Sequence, residues 1–315
     1  PTFIFEDVIV SYGTARYAAQ PILNDNGRIL FYGTNEFNIQ QDHNMNSVGL
    51  LGADNQSEWI QGGKWVEVVT GTTTLNHTWG YDQPFYTYNN NSHTMKVADG
   101  AHMVWNLNDT YTMYYDDGNS GPMVWDIGNN ASFDIRGTAA TASRYSGGWF
   151  MWIANNSWTV NVGNNARLAV STGGGSINLN EFQGTKVIRW NIGQDATVLL
   201  NNLRTSGSLV TGEPGAGSAI TLNDPKAFVL NTQGGVVFDS TVNRNNNFPL
   251  TIAGNGLRTH ASTVTAPLDP NQLDLITPNQ NNLASNDIWY RQNTGTITGL
   301  GATASSALTP NNYTA

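Results

Sequence analysis

The 315-residue chain contains no cysteine. Disulfides, thiolate metal sites and cysteine nucleophiles are therefore excluded, although secretion is not. Charge is scarce as well. Asp, Glu, Lys and Arg make up 12% of the residues, about half the ~25% usual in a soluble domain. Long surface helices, which carry Glu, Lys and Arg, are disfavoured by that shortage. The 14 Lys and Arg stand against 23 Asp and Glu, a formal net charge of −9. So cation-poor a surface speaks against nucleic acid as a partner, since phosphates need positive charge to neutralise them. No run of about 18 apolar residues exists, so no transmembrane helix and no membrane insertion are expected. The chain opens at Pro1, with no Met and no signal peptide, as expected of a piece processed or excised from something longer.

What is abundant is neutral and polar. The sequence holds 41 Asn and 33 Gly, so its surface is built from amides and hydroxyls. Hydrophobic residues at 39% suffice for a core, and aromatics at 10% argue against disorder. With a pI near 4.8, the chain repels an anionic partner at neutral pH and repels it less in acid.

One motif recurs. The chain reads M-K-V-A-D-G-A-H-M-V-W around Ala101, W-D-I-G-N-N-A-S-F-D-I around Ala131, V-N-V-G-N-N-A-R-L-A-V around Ala166 and W-N-I-G-Q-D-A-T-V-L-L around Ala196. The alanines are 30, 35 and 30 residues apart. Fainter copies place Ala227 31 residues further on, with one inserted residue, Gly256 another 29 on, and Gly71 30 before Ala101. Each unit has two stretches of alternating polarity, and period 2 means strands with one buried face. A turn of Gly and Asn joins them, for which tolerance of positive φ is the expected reason. The small Ala after the turn suits a crowded corner. A third strand per unit is expected at 112–115, 149–153 and 176–180.

About 30 residues and three strands per period suit an all-β fold, a parallel β-helix or β-solenoid. Successive coils rise by ~4.8 Å, the spacing of any sheet. A β-sandwich explains the strands but not a fixed 30-residue repeat. Inward ladders are expected along Val97, Ile127, Val162, Ile192, Leu222 and Ile252, and along Met103, Phe133, Leu168 and Val198. An outward ladder is expected along Lys96, Asp126, Asn161, Asn191, Thr221 and Thr251, where stacked amides and hydroxyls can bond along the axis. Residues 1–315 read as a single domain and a monomer. Its regular coils span 61–260, with 1–60 as an N-terminal cap or first coils and 261–315, carrying Pro267, Pro270, Pro278 and Pro310, as a C-terminal cap or packed tail.

The motif V/I-G-N-N-A-x-F/L-x-I/V, the E-W-I-Q-G-G stretch at 58–63 and F-D-I-R-G-T-A at 133–139 resemble the pectate-lyase-like adhesive domains, notably the binding region of the serine-rich repeat surface adhesins of gut lactobacilli. The resemblance covers roughly residues 1–300. It implies a right-handed β-solenoid, secreted and displayed on the bacterial cell wall through parts outside this chain. It also implies adhesion to pectin-type acidic polysaccharide and host epithelial surface glycoproteins, favoured at acidic pH. It transfers no catalytic motif.

The alternative is an active polysaccharide lyase or glycoside hydrolase on the same fold. A pectate lyase needs acids that hold calcium against a substrate carboxylate and a base near them in one groove. Asp116, Asp117, Asp126 and Asp134 are candidates for the metal, and Arg136 or Arg144 for the base. The ladder counts against them, because Asp126 is flanked by Lys96 and Asn161, and Asp134 is followed by Ala169 and Leu199. These acids read as turn or solvated side chains. Glycoside hydrolysis needs two carboxyls facing one bond, and with 23 acids some pair will always be close. The five His residues show no ligand spacing, and His102 reads as a surface residue. No cofactor and no metal are expected.

Tyr111, Tyr114, Tyr115, Tyr145, Trp149, Phe150, Trp152 and Trp158 crowd into under fifty residues. Period 2 buries about half of them. The others, beside scarce cations, would offer ring faces to sugar C–H groups and positive charge to carboxylates. The expected ligand-binding residues are Tyr115, Arg136, Arg144, Trp149, Trp152, Lys186 and Arg189. All but Arg136 are expected on one lateral face. A bland packing role for the aromatics and a mere stalk or spacer role for the chain are the competing readings.

Overall fold

The computed structural model describes residues 2–12, 27–40, 64–80, 85–87, 92–110, 114–116, 122–137, 149–152, 157–172, 176–178 and 187–202, and beyond these the strands named below; side chains are described for 2–11, 27–38, 65–76, 92–106, 122–136, 157–170, 187 and 189–198. Among the described residues there is strand and no helix. The strands fall into three large sheets. A nine-stranded sheet takes Thr2–Glu6, Gly27–Tyr32, Lys64–Val68, His93–Val97, Met123–Ile127, Trp158–Val162, Ile188–Ile192, Ala219–Asn223 and Leu250–Ala253 in that order. An eleven-stranded sheet takes Ile9–Tyr12, Thr34–Gln40, Thr72–Gly80, His102–Thr110, Ser132–Gly137, Arg167–Thr172, Thr197–Asn202 and Ala227–Thr232. It ends in Ile288–Gln292, Ile297–Leu300 and Ala307–Leu308, the last two antiparallel. A six-stranded sheet takes Phe85–Thr87, Tyr114–Asp116, Trp149–Trp152, Ser176–Asn178, Ser208–Thr211 and Val236–Phe238. From Lys64 to Phe238 the chain visits the three sheets in a fixed cyclic order, and each visit pairs parallel with the one before.

The register follows from the alternation in the sequence. Val97, Ile127, Val162 and Ile192 are successive partners and all are buried. The same row continues by register to Leu222 and Ile252. Met103, Phe133, Leu168 and Val198 form the facing row and are buried too. Because one face of every strand is inside, a one-residue slip would turn the whole set outward, so the pairing is strongly specified. Indoles fill much of the interior. Trp158 lies edge-on to Trp125 at 5.2 Å and to Trp190 at 5.5 Å. Trp158 is thus a core residue, buried with Trp105, Trp125 and Trp190. Burying such a side chain contributes about 1.5–3 kcal/mol or more. At the N-terminal end the first strands carry exposed Phe3, Ile4 and Ile9, whereas Ile29, the partner of Phe3, is buried.

The corner between the nine- and eleven-stranded sheets carries the repeated motif. Ala101, Ala131, Ala166 and Ala196 are buried there. The carbonyls of the first three accept from Ser132, Arg167 and Thr197 one rung on, at 3.0, 2.9 and 2.8 Å. Ala227 does not continue this row. It registers with Thr197, because five positions separate Ile192 from Thr197 and Leu222 from Ala227, so this corner has no inserted residue.

Glycine and asparagine serve the turn for different reasons. Positive φ falls on Asn130, Asn165 and Asp195, and on Gly100 one rung earlier. Gly128, Gly163 and Gly193 are required instead by crowding. A Cβ on Gly163 would stand 2.7 Å from the carbonyl carbon of Gly128, and one on Gly193 2.9 Å from that of Gly163. Backbone there lies on backbone, where only hydrogen fits. In urea denaturation Gly163→Ala is expected to cost about 1–3 kcal/mol through overpacking. Asn165→Gly, which keeps the left-handed turn accessible, is expected to change stability by less than about 1 kcal/mol. A loss for Gly163→Ala no larger than that for Asn165→Gly would show that crowding does not set the corner.

Candidate functional site

The outer face of the eleven-stranded sheet gathers charge at one point. Alternation turns Ser132, Asp134 and Arg136 to the same side of their strand. Register places Asp134 between Val104 and Ala169, and Ser132 between His102 and Arg167. Ala169 is small, and Arg167 reaches back diagonally over the space it leaves. Its Nε donates to Asp134 Oδ1 at 2.9 Å, and its Nη2 donates to Oδ2, completing a two-pronged fork. Arg136 Nη2 donates to the same Oδ2 at 3.1 Å. Asp134 is only 4% exposed, while the Arg136 side chain is 58% exposed. Beside the pair, His102 Nδ1 lies 2.9 Å from Ser132 Oγ, and the imidazole is on the surface. Two guanidiniums share this one carboxylate, and Arg136 is the more exposed of the two. A planar fork of N–H donors is also the group best matched to a carboxylate.

A second cluster of the same kind stands on the nine-stranded sheet. Glu67, 8% exposed, takes Trp65 Nε1 at 2.8 Å, Lys96 Nζ at 3.0 Å and Arg28 Nη2 at 3.6 Å. The Arg28 guanidinium lies over the Trp65 ring, 4.9 Å from its centroid. Each cluster holds one shielded carboxylate under two cations.

The expected binding residues are spread over three sheets. Arg136 is in the cluster just described. Arg189 is exposed on the nine-stranded sheet, beside Thr159 and Ala219. Tyr115, Trp149 and Trp152 belong to the six-stranded sheet, where Tyr115 and Trp152 are direct register partners and Trp149 pairs with Ser176. Arg189 therefore does not share a sheet with the aromatics. Arg144 and Lys186 lie outside the described residues, as do Tyr111, Tyr145 and the E-W-I-Q-G-G stretch.

The acids differ from their sequence reading in one respect. Asp134 is neither a turn residue nor solvated; it is buried because two arginines cover it. Asp126 accepts from Asn161 Nδ2 at 3.3 Å. Asp116 ends a strand, and Asp117 lies outside the described residues. Among the described residues no three His, Asp or Glu stand close enough to hold a metal ion. Sequence reasoning missed Arg167, Arg28, Trp65 and Glu67. The signal for Arg167 was present: an acid stacked beneath an alanine, with an arginine two positions before that alanine.

Removing the shared carboxylate should cost more than removing one cation. Asp134→Ala is expected to destabilise by roughly 3 kcal/mol, the low end for breaking a buried pair, because both arginines keep some water. Arg136→Ala, an exposed partner, is expected to cost less than about 1 kcal/mol. Chemical denaturation of the two variants checks the order.

No protein-family model, curated protein sequence or solved structure matches this chain, so the reading of the site rests on its own geometry.

Proposed function

We propose that the chain folds as a right-handed parallel β-helix and serves as a non-catalytic module of a bacterial surface adhesin, binding pectin-type acidic polysaccharide and host epithelial glycoproteins, with binding favoured in acid. The fold reading is supported by the cyclic visits to three sheets and the in-register rows. The functional reading rests on one observation above the rest: Arg136, a largely exposed guanidinium fixed on the outer face by the shielded Asp134. The exposed Arg136 guanidinium, anchored at one end on Asp134, offers N–H donors to a sugar carboxylate. The non-catalytic reading is supported by how the acids are used. Asp134 and Glu67 are engaged by cations, and Asp126 and Asp99 by side-chain amides.

Two measurements test it. Polygalacturonate incubated with the protein between about pH 5 and 9, with and without calcium, should give no unsaturated product; a product absorbance that grows and is lost on Arg136→Ala would make the chain a lyase. Retention on immobilised pectin should rise from pH 7 to about pH 4. The chain carries −9 at pH 7 and crosses neutrality near 4.8. A polyuronate keeps much of its charge until about the carboxyl range near 4.3. Repulsion then becomes attraction over that window, and salt should weaken binding there. Arg136→Ala should weaken retention by roughly 1.5 kcal/mol or more, one charge-assisted contact. Retention that stays flat with pH and with Arg136→Ala would remove this reading.

A further inference from the structure

A groove of about 660 Å³ runs along the corner of the nine-stranded sheet, away from the arginine cluster. One wall is the outward row Lys96, Asp126, Asn161 and Asn191, successive register partners. The other is the turn, with Asp99, Asn129 and the crowded glycines Gly128, Gly163 and Gly193. We infer that this groove is a second binding site, for an extended uncharged glycan lying along the stack.

Three observations carry the assignment. First, the wall is an amide ladder with capacity to spare. Asn191 Nδ2 donates to Asn161 Oδ1 at 2.9 Å, and Asn161 Nδ2 donates to Asp126 Oδ1 at 3.3 Å. A carboxamide has two N–H donors and two acceptor lone pairs. By that count Asn161, which lines the groove, retains one of each. A sugar diol, whose hydroxyls both donate and accept, matches that pair. Second, the site is periodic. Rungs repeat at ~4.8 Å, close to the advance per sugar of an extended β-linked chain, so a chain laid along the stack keeps about one sugar near each rung. Third, the charge is wrong for a polyuronate. The charged residues lining the groove are Lys96, Asp99 and Asp126, a net charge of −1. A polyanion is repelled there, and a neutral chain is not.

The test is affinity electrophoresis of the whole chain in gels containing β-1,4-linked glucan, mannan or galactan, with polygalacturonate in parallel. The variant is Asn161→Val with Asn191→Val. Valine suits strands, and Val124 already stands outward and half-buried in this sheet, so the variant should stay folded; a cooperative thermal transition above the assay temperature confirms that before binding is read. At least one neutral glycan should retard the wild type, with little dependence on salt. The double variant should lose retardation about tenfold while its polygalacturonate retention is unchanged. If no neutral glycan retards the wild type, or the folded variant is retarded equally, the groove is not this site. If polygalacturonate retention falls with the variant, the groove takes the acidic ligand and the uncharged assignment is wrong. Loss of acidic binding through Arg136→Ala alone would leave this inference standing, because the two sites share no residue.

Discussion

The stacking of backbone on backbone at the corner is the constraint on which the rest depends. Gly128, Gly163 and Gly193 sit so close to the preceding rung that a side chain has no room. That contact holds successive corners at strand spacing, and the strands on both sides inherit a common register from it. In-register pairing then places like on like: valine and isoleucine over one another inside, asparagine over asparagine outside. The buried alanines that follow each turn belong to the same constraint, since they fill the inner side of the corner without pushing rungs apart.

Register also explains why so polar a chain can be stable with few ion pairs. An amide above an amide donates to one neighbour and accepts from the other. Among the described residues two such ladders and one run of backbone-to-side-chain bonds follow the stack. Asn106 donates to Asn76 and Asn76 to Asn38, with Glu36 accepting from both Asn38 and Asn76. Asn191 donates to Asn161 and Asn161 to Asp126. At the turn, the backbone N–H groups of Gln194, Asn164 and Asn129 donate in sequence to the side chains of Asn164, Asn129 and Asp99. Every ladder ends at its N-terminal side on a carboxylate. A carboxylate, which only accepts, closes the run of donors there.

The same few carboxylates organise the cations. Glu67 and Asp134 each draw two positive groups onto an outer face and are shielded by them. An ion pair so placed gives little net stability, because desolvation offsets much of the attraction. Its consequence is positional. In a chain with 14 cations among 315 residues, four are held at fixed geometry in two clusters, with Trp65 lying under Arg28 in one of them. The amide-lined groove, negative in sign, lies on a separate surface from the arginine pair. The molecule thus presents two chemically different faces along one stack.

By itself, the sequence determined the all-β character, the repeat, and which side chains face inward. Those properties are local: alternation is set within five residues, and the turn within four. Arg136 could be named because it is one of the few cations near the aromatic-rich stretch. What the sequence could not show is which distant residues meet. Arg167 reaches Asp134 across 33 positions, and Glu67 meets Arg28 across 39 and Lys96 across 29. Those separations vary because the stretches between rungs vary in length, so no fixed offset predicts the partner. Similarly, the glycines read as turn formers, yet three of them are present because another rung lies against them, a fact visible only when the rungs are stacked. Tertiary structure decided these points because each depends on contacts between rungs, and the register of the strands, not the distance along the chain, sets those contacts.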